Sequence, residues 1–444
     1  MQRLLYPRLL TWKNSPVHPP LILQGVRQCG KTWLLKNFGA AEFQDTAYFN
    51  FEQTDQLASL FEHDLDPVRI ITELGLLRQK VIIPGTTLLI LDEIQTCPRA
   101  FTALKYFAEQ LPALHIAAAG SLLGVAIARM NKNISFPVGK VITLTLYPLN
   151  FEEYLLANGD TLLHSHIQTL PAGRQLPSAI TQRLEELYRW YLITGGMPAV
   201  VNAWIESKNI ETIETLQENI LSDYERDFIK YAPAGDYPKL TLIWKGLPLQ
   251  LAKDNQKFVY SHIRTGARAR DLEDALYWLL SAGLIYQIVK TEQPNTPLLT
   301  SADLSNFKIY LADVGLLRKM SGFPASAISS SEENTAYMRG ILAENFVLTE
   351  LIANHIAAGT ICFWKSSNTA EVDYLIQYDA DIIPIEVKSG KNTRSKSLRE
   401  YRKRYHPKQT VRTSITPKSS HIDEWGEIHD IPLYLLWNLK RYLH

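Results

Sequence analysis

A chain of 444 residues, 46% apolar and 20% charged, is longer than one ordinary domain and can bury two or three cores. Lys and Arg number 46 against 45 Asp and Glu, which excludes a polycation and makes any nucleic-acid surface a local one. The three cysteines Cys29, Cys97 and Cys362 show no CxxC spacing, and no apolar run is long enough to span a bilayer; with no signal-like start, these features predict a cytoplasmic protein without a disulfide framework.

In chain order, apolar strand-like runs first alternate with helical patterns, which predicts a parallel α/β sheet over roughly the first 150 residues. "PLILQG" reads as a strand ending in glycine, and "KTWLLKNFG" as a helix closed by Gly39. "TLLILDE", "LHIAAAGS" and "KVITLTLYPL" read as further strands, and "NFEEYLL" as a helix capped by Asn150. "ANGDTLLHSHIQTLPAGRQLPSA" is turn-rich and predicts an irregular insertion, with His164 and His166 in a loop. Helical periodicity follows to about residue 281. "ARDLEDALYWLLSAG" places Leu272, Ala275, Leu276, Leu279 and Leu280 on one face, with Gly283 as a stop. The extended "GLIYQIVKT" behind it suits a winged-helix module, where Lys257, Arg264, Arg268 and Arg270 are candidate phosphate contacts. "SGFPASAISSSEENT" predicts a linker, and "MRGILAENFVLTELIANHI" a helix that opens the last domain.

The stretch "GVRQCGKT" fits G-x-x-x-x-G-K-[ST] between a strand and a helix. Gly25 and Gly30 allow a loop, filled by Val26, Arg27, Gln28 and Cys29, to wrap its backbone around phosphates at a helix N-terminus. Lys31 is placed to reach the β- and γ-phosphates of ATP, and Thr32 to ligate Mg²⁺. Asp92, at the end of "LLILD", would hold the same Mg²⁺ through water, and Glu93 would polarise the attacking water. Ser121 is a candidate γ-phosphate sensor.

"EVDYLIQYDADIIPIEVKSG" reads as a tight hairpin. With its turn at Asp379–Ala380, Asp373 faces Glu386 and Glu371 faces Lys388. Directly opposed carboxylates repel, so a divalent cation between Asp373 and Glu386 is one solution, with Lys388 beside it on the same face. An ordinary Glu371–Lys388 cross-strand pair is the other. Glu344 lies among Ile341, Val347 and Leu348 at helical spacing, where a carboxylate needs a partner. Residues 388–412 hold ten Lys or Arg and one acid, Glu400, with Tyr401 and Tyr405 interleaved. That pattern reads as a solvated helix face or as a surface for DNA or RNA.

The motifs "GVRQCGKT", "LDEIQ", "AGSLLGV", "LYPLNFEEYL", "TGGMPAVV", "IYLADVGLL", "GILAENFVLTEL" and "EVDYLI…PIEVKSG", in that order, resemble a large family of bacterial and archaeal AAA-type ATPases, and the similarity covers nearly the whole chain. The resemblance implies an α/β architecture: an AAA-type P-loop NTPase over residues 1–155, a helical lid and winged-helix-like region over 156–320, and an α/β domain similar to PD-(D/E)XK nucleases over 321–444. It makes Glu344 the helical acid of a second Mg²⁺ or Mn²⁺ site with Asp373 and Glu386, and Lys388 its catalytic lysine. Relatives carry Gly-Arg where this chain has Gly139-Lys140, so the resemblance implies no arginine finger there, lysine being no equivalent fork. The expected function is a Mg²⁺-dependent ATPase switch whose ATP state controls the C-terminal domain. The alternatives are an ATP-regulated endonuclease, or an ATPase joined to a non-catalytic module that binds DNA, RNA or protein. Self-association is left open.

Overall fold

The computed structural model describes all residues except 55, 122, 129–138, 172–173, 234, 254–256, 331, 357–359, 367–369, 391–394 and 444, and no side chains at 126–128. The chain divides into two compact units: residues 2–148 with 278–284, and residues 149–277 with 285–444 and Met1. The expected boundaries differ. The helix Phe151–Ala157 counts with the second unit, and the 320/321 boundary falls between strands of a single sheet.

The first unit is built on five parallel strands, β1 (Leu21–Gln24), β2 (Asp45–Asn50), β3 (Thr87–Asp92), β4 (His115–Gly120) and β5 (Ile142–Thr145), in the order β2-β3-β4-β1-β5. The four strands expected from sequence are present. The edge strand β2 carries mixed polarity in "DTAYFN" and gave no apolar run to find. Because β1 lies between β4 and β5, the loop leaving it sits at a point where neighbouring connections diverge, the usual ligand position of an open parallel sheet. Leu89 and Leu91 pack with Phe61, Phe101, Leu104 and Phe107, and each large side chain so buried contributes about 1.5–3 kcal/mol. Gly39 does not end its helix, which runs Lys31–Glu42. A Cβ there would lie 2.5 Å from Thr46 Oγ1, so the glycine serves close packing of helix on strand.

In the second unit, two of the sequence motifs lock together. Asp313 caps the helix Val314–Met320 by accepting from the Leu316 N–H at 2.8 Å, and also accepts from the Gly196 N–H at 2.6 Å. Gly195 has φ +67°, and a Cβ there would lie 2.1 Å from Asp313 Oδ1, which is why "TGG" meets "ADVG". Burial pushes Asp313 up to about 6. Asn150 forms the expected cap of Phe151–Ala157, completed by Glu153 into a capping box.

Eight strands form the sheet of this unit: β6 (Ile285–Thr291), β7 (Ala302–Leu311), β8 (Ile361–Lys365), β9 (Glu371–Tyr378), β10 (Asp381–Val387), β11 (Gln409–Ser414), β12 (Ser419–Asp423) and β13 (Gly426–Pro432). Their order is β12-β13-β11-β10-β9-β8-β6-β7. The extended segment expected in a winged-helix module, β6, lies in the C-terminal sheet, antiparallel to the edge strand β7 and parallel to β8. The expected insertion contains a helix, Thr161–Thr169, and Ala172 and Gly173 lie outside the described residues. The expected linker holds a short turn of helix, Ala325–Ser329, and from Glu333 belongs to the helix Glu333–Ala353; Ser331 is outside the described residues.

Candidate functional site

The loop from Gly25 to Gly30 joins β1 to the helix Lys31–Glu42, with left-handed backbone at Gln28 (φ 66°) and Gly30 (φ 97°). A Cβ at Gly25 would lie 2.1 Å from the Leu146 carbonyl oxygen, so only glycine fits against the chain leaving β5. Arg3, buried, braces the loop: its guanidinium donates to the Cys29 carbonyl at 2.7 Å and the Tyr147 carbonyl at 2.6 Å. The Lys31 ammonium donates to the Gly25 and Val26 carbonyls, both at 2.8 Å. An ammonium has three donors, and the third remains for a phosphate oxygen. Val26 and Cys29 are buried, Arg27 is half-buried and Gln28 is exposed.

Thr32 and Asp92 meet directly, Thr32 Oγ1 donating to Asp92 Oδ2 at 2.8 Å. The same oxygen accepts from the Tyr48 hydroxyl at 2.9 Å. Burial, followed by the charges of Asp92 and Glu93, pushes the Tyr48 hydroxyl up to about 12, so it is a donor at any physiological pH. Glu93 has φ 52° and ψ 40°, a sparsely populated region for a residue with a side chain and a frequent mark of functional positions. Its Oε2 accepts from Gln95 Nε2 at 2.5 Å and from Ser121 Oγ at 3.2 Å. Ser121 is thus placed on the Glu93 carboxylate. Lys140 forms a surface ion pair with Glu109 at 3.2 Å.

These residues fit MgATP by the chemistry they present. They combine a glycine loop at a helix start, a buried ammonium held by neutral carbonyls, and a hydroxyl touching a carboxylate. Tyr48, Gln95 and Arg3 were not singled out from sequence. Gln95 lay within the quoted "LDEIQ", whereas Tyr48 and Arg3 become visible only through contacts distant in the chain.

The second cluster lies on β7, β9, β10 and the helix Glu333–Ala353. The hairpin register runs from Tyr378 opposite Asp381 to Tyr374 opposite Ile385, so the next positions are Asp373 and Glu386, as expected. Glu371, which the same count sets opposite Lys388, makes its ion pairs elsewhere. It pairs across to Lys365 on β8 (3.1 Å) and to the buried Lys308 on β7. Lys388 instead donates to Glu386 Oε1 at 2.7 Å, and Asp373 Oδ2 accepts from the Val387 N–H at 2.7 Å. Tyr310 donates to Glu344 Oε2 at 3.3 Å, and Tyr374 to the Glu344 carbonyl at 2.8 Å.

Burial, then the charges of Glu386 and Glu344, hold Asp373 well above the usual carboxylate range, against Lys308 and Lys388. The opposed pair therefore favours proton uptake by Asp373. Burial would lower Lys308, but Glu371, Glu344 and Asp373 outweigh it and keep the ammonium charged. Glu386 Oε2 is buried without a hydrogen-bond partner. Among the described residues no three His, Cys, Asp or Glu side chains are placed to hold a metal ion, so Glu344, Asp373 and Glu386 come together without forming a three-ligand cage. Lys308 and Tyr310 were missed because "NFKIYL" reads as plain strand. Their alternation places both on one face, but only the sheet order brings that face to the hairpin.

The basic stretch divides sharply. Arg402 is buried and grips Asp423 with two hydrogen bonds, at 2.7 and 2.6 Å. Arg412 holds Asp430 at 2.7 and 2.9 Å, and Lys408 pairs with Asp381. Tyr401 is buried against Trp364, and Tyr405 bonds both Trp364 Nε1 and the Glu292 carbonyl, so the tyrosines belong to the core and offer no stacking platform. Lys396, Arg399, Lys403 and Arg404 remain exposed, as do Arg264, Arg268 and Arg270; Lys391 and Arg394 lie outside the described residues. His164 is helical and bonds Glu152 at 2.7 Å while stacking on Trp437. No helix among the described residues is long and apolar enough to cross a membrane.

Residues 17–155 match the family described as AAA domain, residues 185–327 a domain of unknown function (DUF8612), and residues 339–436 another (DUF4143). No curated protein matches the chain. Similar solved structures include a Walker-type ATPase of Pyrococcus abyssi, at 13% identity over 72% of this chain and 95% of that one, TM-score 0.46. AMPPCP-bound DnaA from Aquifex aeolicus is similar at 15% identity over 61% and 85%, TM-score 0.29. The ORC1 protein of Aeropyrum pernix in complex with DNA is similar at 13% over 73% and 91%, TM-score 0.27. The AAA domain matched over residues 17–155 and the five-stranded parallel sheet with its phosphate loop support an ATP-binding ATPase domain in the first unit.

Proposed function

We propose that the protein is an ATP-driven switch that hydrolyses MgATP at Lys31, Thr32, Asp92 and Glu93. The observation that carries this reading is the 2.8 Å contact between Thr32 Oγ1 and Asp92 Oδ2 beside a buried lysine held by neutral carbonyls. Bound Mg²⁺ would neutralise charge on the phosphates. Thr32 and Asp92 would hold it, Asp92 through water, and the free donor of Lys31 would take a phosphate oxygen. Gln95 and Ser121 fix the Glu93 carboxylate through Oε2, leaving Oε1 to orient the attacking water and accept its proton. The test is phosphate release by pure protein. Lys31→Ala is expected to abolish ATP binding, and Glu93→Gln to retain binding while slowing turnover on the order of 10²-fold. Turnover unchanged in both variants would sink the reading.

A second reading concerns the other unit. The Glu386–Lys388 bond and the Lys308–Glu371 pair show the hairpin charges engaged with one another. This supports a C-terminal module used for binding rather than cutting, with Lys396, Arg399, Lys403 and Arg404 as the phosphate contacts and ATP state as its control. It predicts nucleic-acid affinity that falls with salt and survives Asp373→Asn. Mn²⁺-dependent cleavage of DNA or RNA, lost in Asp373→Asn, would overturn it in favour of an endonuclease.

A further inference from the structure

A cavity of about 340 Å³ opens in the second unit, and its lining includes neither the phosphate loop nor the hairpin carboxylates. Its size sits at the lower end of the ~300–1,000 Å³ range of ligand pockets, enough for one small molecule or one nucleotide. Stretches far apart in sequence build its polar side: Arg189 from the helix Ser178–Thr194, Ser330, Arg339 from the helix Glu333–Ala353, and Ser389. Ser389 directly follows Lys388, so the cavity shares a backbone segment with the end of β10.

Neither guanidinium is used up. Arg189 reaches Glu185 at 3.3 Å through Nη2 alone. Arg339 uses Nη1 on the Ser330 carbonyl and the Thr335 hydroxyl, while its Nε and Nη2 make no hydrogen bond to the described residues. Glu185 is the single acid in the lining, so the two arginines leave a net positive wall. Leu192, Ile328 and Tyr188 add apolar surface to the lining, and the buried Tyr188 hydroxyl has no hydrogen-bond partner. Two open guanidinium forks with serine hydroxyls match the oxygens of a phosphate monoester, and the apolar wall matches a flat, weakly polar body attached to it.

We propose that this cavity binds a nucleoside monophosphate unit, either free or as the phosphorylated end of a strand. Arg189 and Arg339 take the phosphate, and Leu192, Ile328 and Tyr188 cover the nucleoside. The site stands apart from the ATPase reading and from whether the hairpin cuts.

The experiment is fluorescence anisotropy of the full chain with a labelled 5′-phosphorylated DNA strand and its 5′-hydroxyl counterpart. A non-hydrolysable ATP analogue fills the phosphate loop, and nucleoside 5′-monophosphates serve as unlabelled competitors, with direct calorimetry for the free monophosphates. A preference of about tenfold for the phosphorylated strand, or calorimetric binding of a monophosphate, is expected in the wild type. Arg189→Met, and Arg339→Lys, which keeps the charge but loses the fork, should each remove it while leaving affinity for the ATP analogue unchanged. Displacement by free monophosphates assigns the site to a small molecule; strand binding without displacement assigns it to a strand end. Equal affinity for both strands with no monophosphate binding overturns the proposal, as does phosphate preference that persists in both variants.

Discussion

Lys31 and Lys308 are both buried ammonium groups, and the protein satisfies them in opposite ways. Lys31 donates to two backbone carbonyls, and Asp92 close by accepts from two hydroxyls, so neither makes an ion pair among the described residues. Around the hairpin the charges engage one another: Lys308 and Lys365 share Glu371, Lys388 holds Glu386, and Arg402 and Arg412 grip Asp423 and Asp430. A buried charge with only neutral partners keeps most of its field for an incoming ligand, whereas a paired one has little left to offer. Both regions hold a buried lysine and a buried carboxylate. Which charge faces which decides whether the cluster awaits a ligand or holds a fold together.

The largest expected effect tests that contrast directly. Lys308→Met leaves Glu371 with Lys365 alone and removes the buried cation that offsets Glu344 and Asp373, and should cost about 3–5 kcal/mol of stability. Lys31→Met, which loses two neutral hydrogen bonds, should cost only about 1–2 kcal/mol without nucleotide. Urea unfolding of both variants measures this, and equal losses would break the comparison.

Glu350 extends the comparison to an acid buried among neutral donors. It accepts from the Phe151 N–H at 2.7 Å and from Asn354 Nδ2 at 3.0 Å, and burial pushes it up to about 8. The folded protein therefore keeps this proton up to about pH 8, while the unfolded chain releases it near the ordinary value of 4.5. The stabilisation is complete below that ordinary value and is lost as pH rises from there through about 8. Glu350→Gln should flatten the fall in melting temperature between pH 5 and 8. An identical slope in wild type and variant would show that the acid is not buried in its neutral form.

Tyr48→Phe is the smallest change. Removing one donor from Asp92 should cost about 1 kcal/mol and lower ATP turnover only a few-fold, since Thr32 still holds the same oxygen. A loss as large as that of Glu93→Gln would give Tyr48 a direct part in the chemistry.

Local pattern was enough for the phosphate loop, for four of the five strands around it, for the Asn150 cap, and for the hairpin register that sets Asp373 opposite Glu386. Each depends on residues close in the chain, where spacing and turn geometry dictate the outcome. The partners of Glu371 and Lys388, the burial of Arg402 and Tyr401, and the arrival of Lys308, Tyr310 and Tyr48 could not be read that way. The helix Lys396–Tyr405 shows why: a run of cations with interleaved tyrosines read as a solvated face or a nucleic-acid surface, but Leu398, Tyr401, Arg402 and Tyr405 recur at helical spacing and turn inward. Strand order, in which β6 and β7 join β8 at the edge of the C-terminal sheet, is a long-range choice made by packing. The chain alone therefore determined which chemical groups are present and their local geometry. Only the tertiary structure decided how charges pair across strands distant in sequence, because buried electrostatic energy depends on neighbours in space.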